Sequence, residues 1–226
     1  MTDQAGALSW LVYACRSEYT VDVVEVIRRT GGTVAALVDN LEGAASDPQG
    51  DPPVLRPTDL SPALRSLPAV IPLITPGHRH TVVAQARQGG IVHFPSLIDP
   101  TAVVAASATF GEGTVINAGA IVAGEAAVHR FVHVNRGASV GHHSVLMDFS
   151  TLGPGCILAG RVRVEPGAFL GAGAVCAPKV TIGRNAIVGA GAVVIADVPP
   201  GAVVVGNPAG VVRHSEVGYG GVAVPP

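Results

Sequence analysis

The side chains best suited to chemistry in this sequence are histidines, four of which fall within one short stretch: His129, His133, His142 and His143. An imidazole exchanges a proton near neutral pH, so a histidine can take the proton of an amine or hydroxyl that acts as a nucleophile. Histidine is also a common zinc ligand. Taken alone, each of these histidines is a candidate base, a candidate ligand or a solvated surface residue.

These histidines lie inside a six-residue repeat that must position them. Every sixth residue from Ile98 to Val194 is apolar, and the residue four positions later, from Ala102 to Val198, is small or valine. A period of six fits neither a 3.6-residue helix nor a two-residue strand alternation. It predicts short strands joined by tight corners, three of which close a triangular coil, with coils stacked about 4.8 Å apart. We expect six glycines to supply the backbone freedom of the corners: Gly111, Gly141, Gly153, Gly171, Gly183 and Gly189.

This repeat, over residues 95–212, resembles that of the hexapeptide-repeat acyltransferases. The resemblance implies a left-handed β-helix, acetyl-CoA as acyl donor without a metal, and a homotrimer with active sites between neighbouring helices. The segment Val204–Ala209 is similar to the family's loop after the last coil, near the coenzyme, so Asn207 and Pro208 are candidate coenzyme contacts. Gly160 matches a position where the family's backbone passes close to the pantetheine arm; a plain corner glycine is the alternative.

The segment Ala138–Val145 resembles the family's catalytic stretch, in which the residue matching His142 is the general base. The acidic residue that usually follows is replaced by His143. Residues 18 apart stack in such a coil, so Glu125 lies one coil from His143. We predict that Glu125, directly or through His143, orients His142, as a carboxylate does in other bases; an exposed corner glutamate is the alternative.

A second family histidine, which faces the coenzyme carbonyl or the acceptor, falls at Thr151 here. His133 lies one coil below Thr151 and is a candidate substitute. Asn117 and Asn135 also stack, and we expect them either to form an amide ladder or to face the acceptor. Thr151 is therefore a candidate coenzyme contact, and His133 and Asn135 are candidate acceptor contacts.

The first ninety residues alternate strand and helix, which predicts a small parallel α/β domain. The predicted strands are Leu8–Cys15, Thr33–Val38, Ala69–Thr75 and Ile91–Phe94, and the predicted helices are Val21–Thr30 and His80–Gln88. This order of domains resembles the sialic acid O-acetyltransferase and sugar-nucleotide N-acetyltransferase subfamily, whose first domain holds a nucleotide-linked sugar. The resemblance divides the chain into residues 1–94 for acceptor binding, 95–212 for acyl transfer and a tail, 213–226.

The N-terminal domain departs from the subfamily after its first strand. A Gly-rich loop is usual there, but this chain has Ala14–Tyr19 without glycine, so backbone amides cannot approach a phosphate as closely. Arg16 in this loop is able to pair with a phosphate instead. Asp39 stands where the subfamily's second strand presents an acidic residue to the nucleoside; an aspartate that caps a helix or forms a turn is the alternative. Gly77 and His78, after the third strand, are further candidate acceptor contacts.

Composition excludes several other classes. A net charge of -2 without a basic cluster argues against nucleic acid. No apolar run is long enough for a membrane span, and three dispersed cysteines favour a reduced, cytoplasmic protein. The prediction is a mainly β enzyme with a left-handed parallel β-helix after a small Rossmann-like α/β domain, acetylating an amino or hydroxyl group of a sugar or sugar nucleotide. Two alternatives stay open: a non-catalytic β-helix scaffold, and a metalloenzyme like the γ-class carbonic anhydrases, which share the β-helix but space two zinc histidines five apart.

Overall fold

The structure, a computed structural model, describes residues 8–43, 47–214 and 217–226. Its first part is built on a four-stranded parallel sheet, in which the strands lie side by side in the order third, second, first and fourth along the chain. Residues 215 and 216 of the predicted tail lie outside the described residues. The elements of this part are β1 (Ser9–Tyr13), α1 (Thr20–Arg29), β2 (Thr33–Val38), β3 (Val54–Leu55), α2 (Pro62–Arg65), β4 (Ala69–Val70) and α3 (Pro76–Gln88).

From Leu97 the chain forms a parallel β-helix with three faces, here named A, B and C in the order in which the chain meets them. Face A holds β5 (Leu97–Ile98), β8 (Val115–Ile116), β11 (His133–Val134), β14 (Thr151–Leu152), β17 (Phe169–Leu170), β20 (Ile187–Val188) and β22 (Ala202–Val205), with β23 (Gly210–His214) antiparallel to β22. Face B holds β6 (Val103–Val104), β9 (Ile121–Val122), β12 (Ser139–Val140), β15 (Ile157–Leu158), β18 (Val175–Cys176) and β21 (Val193–Val194). Face C holds β7 (Thr109–Phe110), β10 (Ala127–Val128), β13 (Val145–Leu146), β16 (Arg163–Val164) and β19 (Thr181–Ile182).

The predicted 18-residue register is confirmed by the pairing of stacked strands. Val128 lies beside Leu146 on face C, and Val134 beside Leu152 on face A. The repeat's apolar residue ends each two-residue strand and points inward. From Ile116 to Val194 these residues are at most 2% exposed and form one continuous core, which accounts for the regular spacing of the sequence.

The corner glycines serve a purpose different from the one we expected. The residue with positive φ is the third after the apolar residue, for example Glu125 (φ 58) and His143 (φ 58). The predicted glycines stand two positions earlier, at close approaches between coils: a Cβ on Gly171 would lie 2.6 Å from the amide nitrogen of Ala190. The prediction that these glycines supply corner flexibility is therefore wrong, because coil stacking, and not φ, excludes a side chain there.

The N-terminal part confirms the α/β prediction with local differences. Helix α3 begins at Pro76, four residues before the predicted start, because proline suits the first turn of a helix. The predicted strand Ile91–Phe94 is wrong: the segment is irregular, and a single bond, from the Ala69 amide to the His93 carbonyl, ties it to the sheet. Strand β3 and helix α2 lie between the predicted strands Thr33–Val38 and Ala69–Thr75, where the sequence predicted no helix or strand.

The two parts pack together through face A. Trp10, Val12 and Tyr19 of the sheet layer share a buried cluster with Leu97 and Val115 of face A. The N-terminal part therefore lies on face A, and the corner between faces B and C is the edge of the triangular coil opposite to it. In the described part of the chain, no helix is both long enough and apolar enough to cross a bilayer.

Candidate active site

His142 and His143 occupy the corner between faces B and C, where both are exposed. Their Nδ1 atoms are 3.0 Å apart, so one ring donates a hydrogen bond to the other. The other edge of the His142 ring faces the next coil: a Cβ on Gly160 would lie 2.5 Å from Nε2. The corner therefore presents an imidazole with its Nδ1 engaged and its Nε2 directed towards the following coil.

Glu125 stacks one coil before His143, as its spacing predicts, and the amide of His143 donates to the carbonyl of Gly124 at 3.1 Å. The amide of Glu125 itself donates to Ser107 Oγ at 3.0 Å. Among the described residues, the Glu125 carboxylate makes no hydrogen bond to either imidazole. The predicted orienting role of Glu125 thus stays a prediction, and His143 is the direct neighbour of the His142 ring.

A cleft of about 560 Å³ lies at the carboxyl ends of the N-terminal strands. The chain leaves β1 and β4 in opposite directions across the sheet, which makes this edge the switch point where α/β sheets hold ligands. The loop after β1, with Ala14 at φ 70, forms one wall. The lining residues are Ala14, Arg16, Ser17, Asn40, Leu41, Leu73, His78, Thr81, Val82, Gln85 and Val222.

Three predicted acceptor residues lie at this cleft, in different settings. His78 is exposed and lines it. Asp39 is only 4% exposed and pairs with Arg16, whose Nε donates to Oδ2 at 2.6 Å. Gly77, the second residue of α3, is covered by the C-terminal segment: a Cβ there would lie 2.5 Å from the carbonyl carbon of Val222. Arg16 is thus held in the cleft by Asp39 while its guanidinium stays 45% exposed.

Three other predicted contacts are buried beneath the N-terminal part, on face A and its border with face B. Thr151 is 1% exposed, and its hydroxyl donates to the carbonyl of Ile74 and accepts from Arg79. His133 is also 1% exposed and packs on Tyr19, with ring centroids 5.7 Å apart. The N-terminal part covers both side chains, so neither is accessible to a ligand from solvent in this chain. Their contacts with the coenzyme and the acceptor stay predictions.

Asn135 is buried as well, at 6% exposure, and its side-chain oxygen accepts from the amide of Arg136. Asn117 makes the same local bond to the amide of Ala118 and donates to the hydroxyl of Tyr19. Each asparagine therefore closes its own corner, and no hydrogen bond joins the two amides. A contact between Asn135 and the acceptor stays a prediction.

Arg79, which the sequence did not single out, joins the N-terminal part to the coil. It is fully buried, and it donates to the carbonyls of Leu73, Phe131, Phe149 and Ser150 and to the hydroxyl of Thr151. Burial lowers the pKa of Arg79 to about 9 and raises that of Tyr19 to about 12. Burial, together with the charge of Arg79, also lowers the pKa of His133 well below 6.5. One arginine in a helix gives no sequence signal of such a role.

The predicted coenzyme end lies on the same side of the coil as His142. Asn207 and Pro208 are exposed in the turn between β22 and β23, and the carbonyl of Gly206 accepts from Val193, the first residue of the last face B strand. Arg161 and Lys179 follow His143 at 18-residue intervals in the B–C corner, both with positive φ. Arg184 lies at a different corner, between faces C and A, where it donates to the carbonyl of Pro225.

The four histidines are spread around the coil. His129 lies at the C–A corner, His133 on face A, and His142 and His143 at the B–C corner. Across the described ranges, no group of three or more histidine, cysteine, aspartate or glutamate residues is placed to hold a metal ion. Of the predicted catalytic and coenzyme residues, His142, His143 and Gly160 meet at the B–C corner.

No family model and no curated protein matches the chain in sequence, but solved structures do. PerB from Caulobacter crescentus, in complex with CoA and GDP-perosamine, is 31% identical over 92% of this chain and 98% of that chain, with a TM-score of 0.77. The acetyltransferase domain of PglB from Neisseria gonorrhoeae, in complex with acetyl coenzyme A, is 29% identical over 92% of this chain and 100% of that chain, with a TM-score of 0.80. WeeI from Acinetobacter baumannii is 26% identical over 91% and 100%, with a TM-score of 0.79.

These similarities span the α/β part and the coil together, in the same order along the chain. The identity to PerB reaches 31% and covers nearly all of both chains. The predicted handedness and enzyme class are confirmed with it. The chain belongs to the left-handed β-helix hexapeptide-repeat acyltransferases, and within them to the acetyl-CoA-dependent sugar N-acetyltransferases.

Proposed function

We propose that this protein transfers the acetyl group of acetyl-CoA to an amino group on a nucleotide-linked sugar, with His142 as general base. The proposal rests on one observation: the same chain has a cleft at the carboxyl ends of a parallel sheet and an exposed imidazole at a β-helix corner. The complexes of similar proteins support both substrates: CoA with GDP-perosamine in one, acetyl coenzyme A in another.

His142 acts through Nε2. When Nδ1–H is donated to Nδ1 of His143, Nε2 keeps its lone pair and is able to accept a proton. As the acceptor nitrogen attacks the thioester carbonyl, a C–N bond forms and the nitrogen's proton passes to Nε2. The tetrahedral intermediate then expels the coenzyme A thiolate, which takes up a proton from the imidazolium. The thioester needs little electrophilic help, so freeing the nucleophile of its proton is the main task.

The developing oxyanion requires a hydrogen-bond donor near Nε2. Gly160 is suited to this, because its amide makes no hydrogen bond within the described residues and its Cα is in contact with the His142 ring. The coenzyme then follows the B–C corner past Arg161 and Lys179, whose charges suit phosphates, towards Asn207 and Pro208. Cys156 and Cys176 take no part in this path, since both are buried in the coil core.

The acceptor binds in the N-terminal part, which we propose as an acceptor domain of residues 1–94 preceding the acyltransfer domain, 95–212. In relatives with a Gly-rich loop, backbone amides bind the diphosphate. In this chain the guanidinium of Arg16 binds it instead. Its hydrogen bond to Asp39 aims the guanidinium into the cleft. His78, on the opposite wall, is placed to contact the sugar or nucleoside.

The protein works as a homotrimer. Because the acceptor domain covers face A and His142 lies on the opposite edge, an acceptor bound to one chain is served by His142 of a neighbouring copy. Face B has outward-facing apolar residues that suit such packing: Val103 is 65% exposed, and Ile121 and Ile157 are each 46% exposed. A cytoplasmic location, where acetyl-CoA is available and cysteines stay reduced, is part of the same proposal.

The first test is thiol release from acetyl-CoA with the wild type, His142→Ala and His129→Ala. Amino-sugar nucleotides, free amino sugars and simple amines are offered in parallel. His129 is the control because it is an exposed histidine of the same coil on another edge. We expect release with amino-sugar nucleotides that falls at least about a hundredfold in His142→Ala and is unchanged in His129→Ala.

Equal activity in His142→Ala would contradict the assignment of the base. Release with free amines alone would exclude the nucleotide-linked acceptor. If the protein neither binds acetyl-CoA nor turns it over, the non-catalytic scaffold is favoured instead. The trimer has its own test: mixing His142→Ala with a cleft variant, Arg16→Glu, should restore activity above the sum of the two, since the mixed assembly pairs an intact cleft with an intact histidine.

A further inference from the structure

The C-terminal segment 217–226 returns from the end of the coil to the acceptor domain. The ring of Tyr219 stacks on Phe169 of face A, with centroids 3.6 Å apart and planes 5° apart. Further on, Asn185 and Val224 exchange two hydrogen bonds of 3.0 Å, from Asn185 Nδ2 to the Val224 carbonyl and from the Val224 amide to Asn185 Oδ1. Reciprocal bonds of this kind fix the segment along the C–A corner in one register.

The segment is also part of the hydrophobic core. Val224 is 4% exposed and belongs to the buried cluster that holds Val83 of α3 together with Phe131 and Phe149 of the coil. A Cβ on Gly167 would come within 2.9 Å of the Val224 side chain, so the coil also leaves room for this residue. The segment is thus an anchored layer between coil and acceptor domain.

Between these two anchors the segment crosses the start of α3, at the rim of the cleft. Its backbone passes so close to Gly77 that a Cβ there would lie 2.5 Å from the carbonyl carbon of Val222. A Cβ on Gly220 would likewise lie 2.9 Å from Cγ2 of Thr75. Val222 then joins Leu73 and His78 in lining the cleft. The segment therefore occupies the position from which Gly77 was expected to face the acceptor.

We propose that the C-terminal segment is a wall of the acceptor cleft and that Val222 is a specificity-determining residue for the nucleotide-linked sugar. This inference rests on the proposed function, because it takes the cleft as the acceptor site. Among the described residues that line the cleft, Val222 is the one that comes from beyond the coil. Its side-chain volume limits the space beside His78, while the coenzyme path at the B–C corner is out of its reach.

The test compares Val222→Ala and Val222→Phe with the wild type, using Val217→Ala as control. Val217 is in the same segment, is 53% exposed and does not line the cleft. Two acceptors that differ by one substituent on the sugar are offered, and KM for each acceptor, KM for acetyl-CoA, kcat and Tm are measured. A chain ending at residue 216 gives the effect of removing the wall altogether.

We expect Val222→Ala to change the ratio of kcat/KM for the two acceptors about tenfold in favour of the larger one, since a lost methyl or two in a pocket has this order of effect. Val222→Phe should shift the ratio the other way. KM for acetyl-CoA should stay the same in both variants, and Val217→Ala should match the wild type.

The truncated chain tells whether the segment contacts the acceptor or only stabilises the fold. At temperatures below its Tm, where it is folded, we expect its KM for the acceptor to be at least about tenfold higher than that of the wild type and its KM for acetyl-CoA to be unchanged. An unaltered acceptor ratio in both Val222 variants would overturn the inference and leave the proposed function intact. If the wild type neither binds nor acetylates any nucleotide-linked sugar, the proposed acceptor is wrong and this inference falls with it.

Discussion

The Nε2 atom of His142 occupies the space that a side chain on Gly160 would need. A Cβ at position 160 would lie 2.5 Å from Nε2 and 2.6 Å from Cε1, closer than real Cβ contacts come. The two residues are 18 apart, so the repeat itself sets the contact. The ring is thus positioned by the absence of a side chain one coil further along.

Replacing Gly160 with alanine should therefore displace the imidazole. We expect Gly160→Ala to lower kcat about a hundredfold with little change in Tm, since an ångström of misplacement in a catalytic group has effects of this size. Gly124→Ala is the matched control, because Gly124 stacks on the other side of His142 and its Cβ would have 3.4 Å to its nearest atom, Ser107 Oγ. Equal kcat in the two variants would show that Gly160 does not position the ring.

The bond between His142 and His143 leads to a second prediction. Removing the partner with His143→Ala should lower kcat about tenfold or more, because the ring loses the group that fixes its tautomer. His143→Asp should retain most of the activity, since a carboxylate is a good acceptor for Nδ1–H and aspartate tolerates the positive φ of 58 found here. The kcat of both variants across pH 6 to 9 is the measurement; loss of activity in His143→Asp as well would contradict it.

Glu125 offers a third comparison, with Glu25 on α1 as an exposed control. If Glu125 orients the histidine pair when substrate is bound, Glu125→Gln should lower kcat about tenfold and leave both KM values unchanged, whereas Glu25→Gln should behave as wild type. Unchanged turnover in Glu125→Gln would show that the stacked carboxylate plays no part in orienting the base.

Buried His133 predicts a specific loss of stability in acid. Burial, and next the charge of Arg79, lowers the pKa of His133 well below 6.5, so the unfolded chain binds a proton that the folded chain does not. Stability from this group is full above pH 6.5 and falls by up to about 1.4 kcal/mol per unit below it. Urea unfolding of the wild type and His133→Val between pH 5 and 8 checks this. Parallel pH curves for the two proteins would contradict it.

Arg79 should matter for stability and not for catalysis. Arg79→Met leaves the carbonyls of Phe131, Phe149 and Ser150 without their donor in a buried setting. We expect a loss of about 3 kcal/mol or more in the free energy of unfolding. Arg28→Met, at an arginine whose side chain is 61% exposed, should change it by less than about 1 kcal/mol. A similar small loss in both variants would mean that water replaces the guanidinium.

Most of the coil is predictable because its core needs one buried apolar residue at the end of each strand. This need produces an apolar residue at every sixth position of the sequence, and that period predicts the strands, their register and the stacking of Gly160 on His142. The same periodicity is silent about which face meets the acceptor domain. Thr151 and His133 fit the repeat equally well whether exposed or covered, and only the packing of Tyr19 and Arg79 on face A shows that they are buried.

The elements of the N-terminal part are harder to predict from the sequence, for a related reason. The two-residue strands β3 and β4 bury too few side chains to leave a period, and helix α2 has a single turn. The position of the tail could not be predicted either, because the tail is held by residues far away in the sequence, such as Asn185 for Val224. Residues whose neighbours are set by tertiary packing carry no local sign of it.

The 18-residue stacking restricts how the length of this protein can change. A gain or loss of 18 residues within the coil adds or removes one complete turn and returns every later residue to its own face. A change of six residues instead moves every later strand by one face: a loss would bring face B beneath the acceptor domain, a gain would bring face C there, and either would carry the catalytic corner away from its neighbour. The register of the strands is therefore kept only when the length changes in multiples of 18 residues. Related chains should differ in coil length by whole turns, or by loops that bulge from a corner and leave the strand register unchanged.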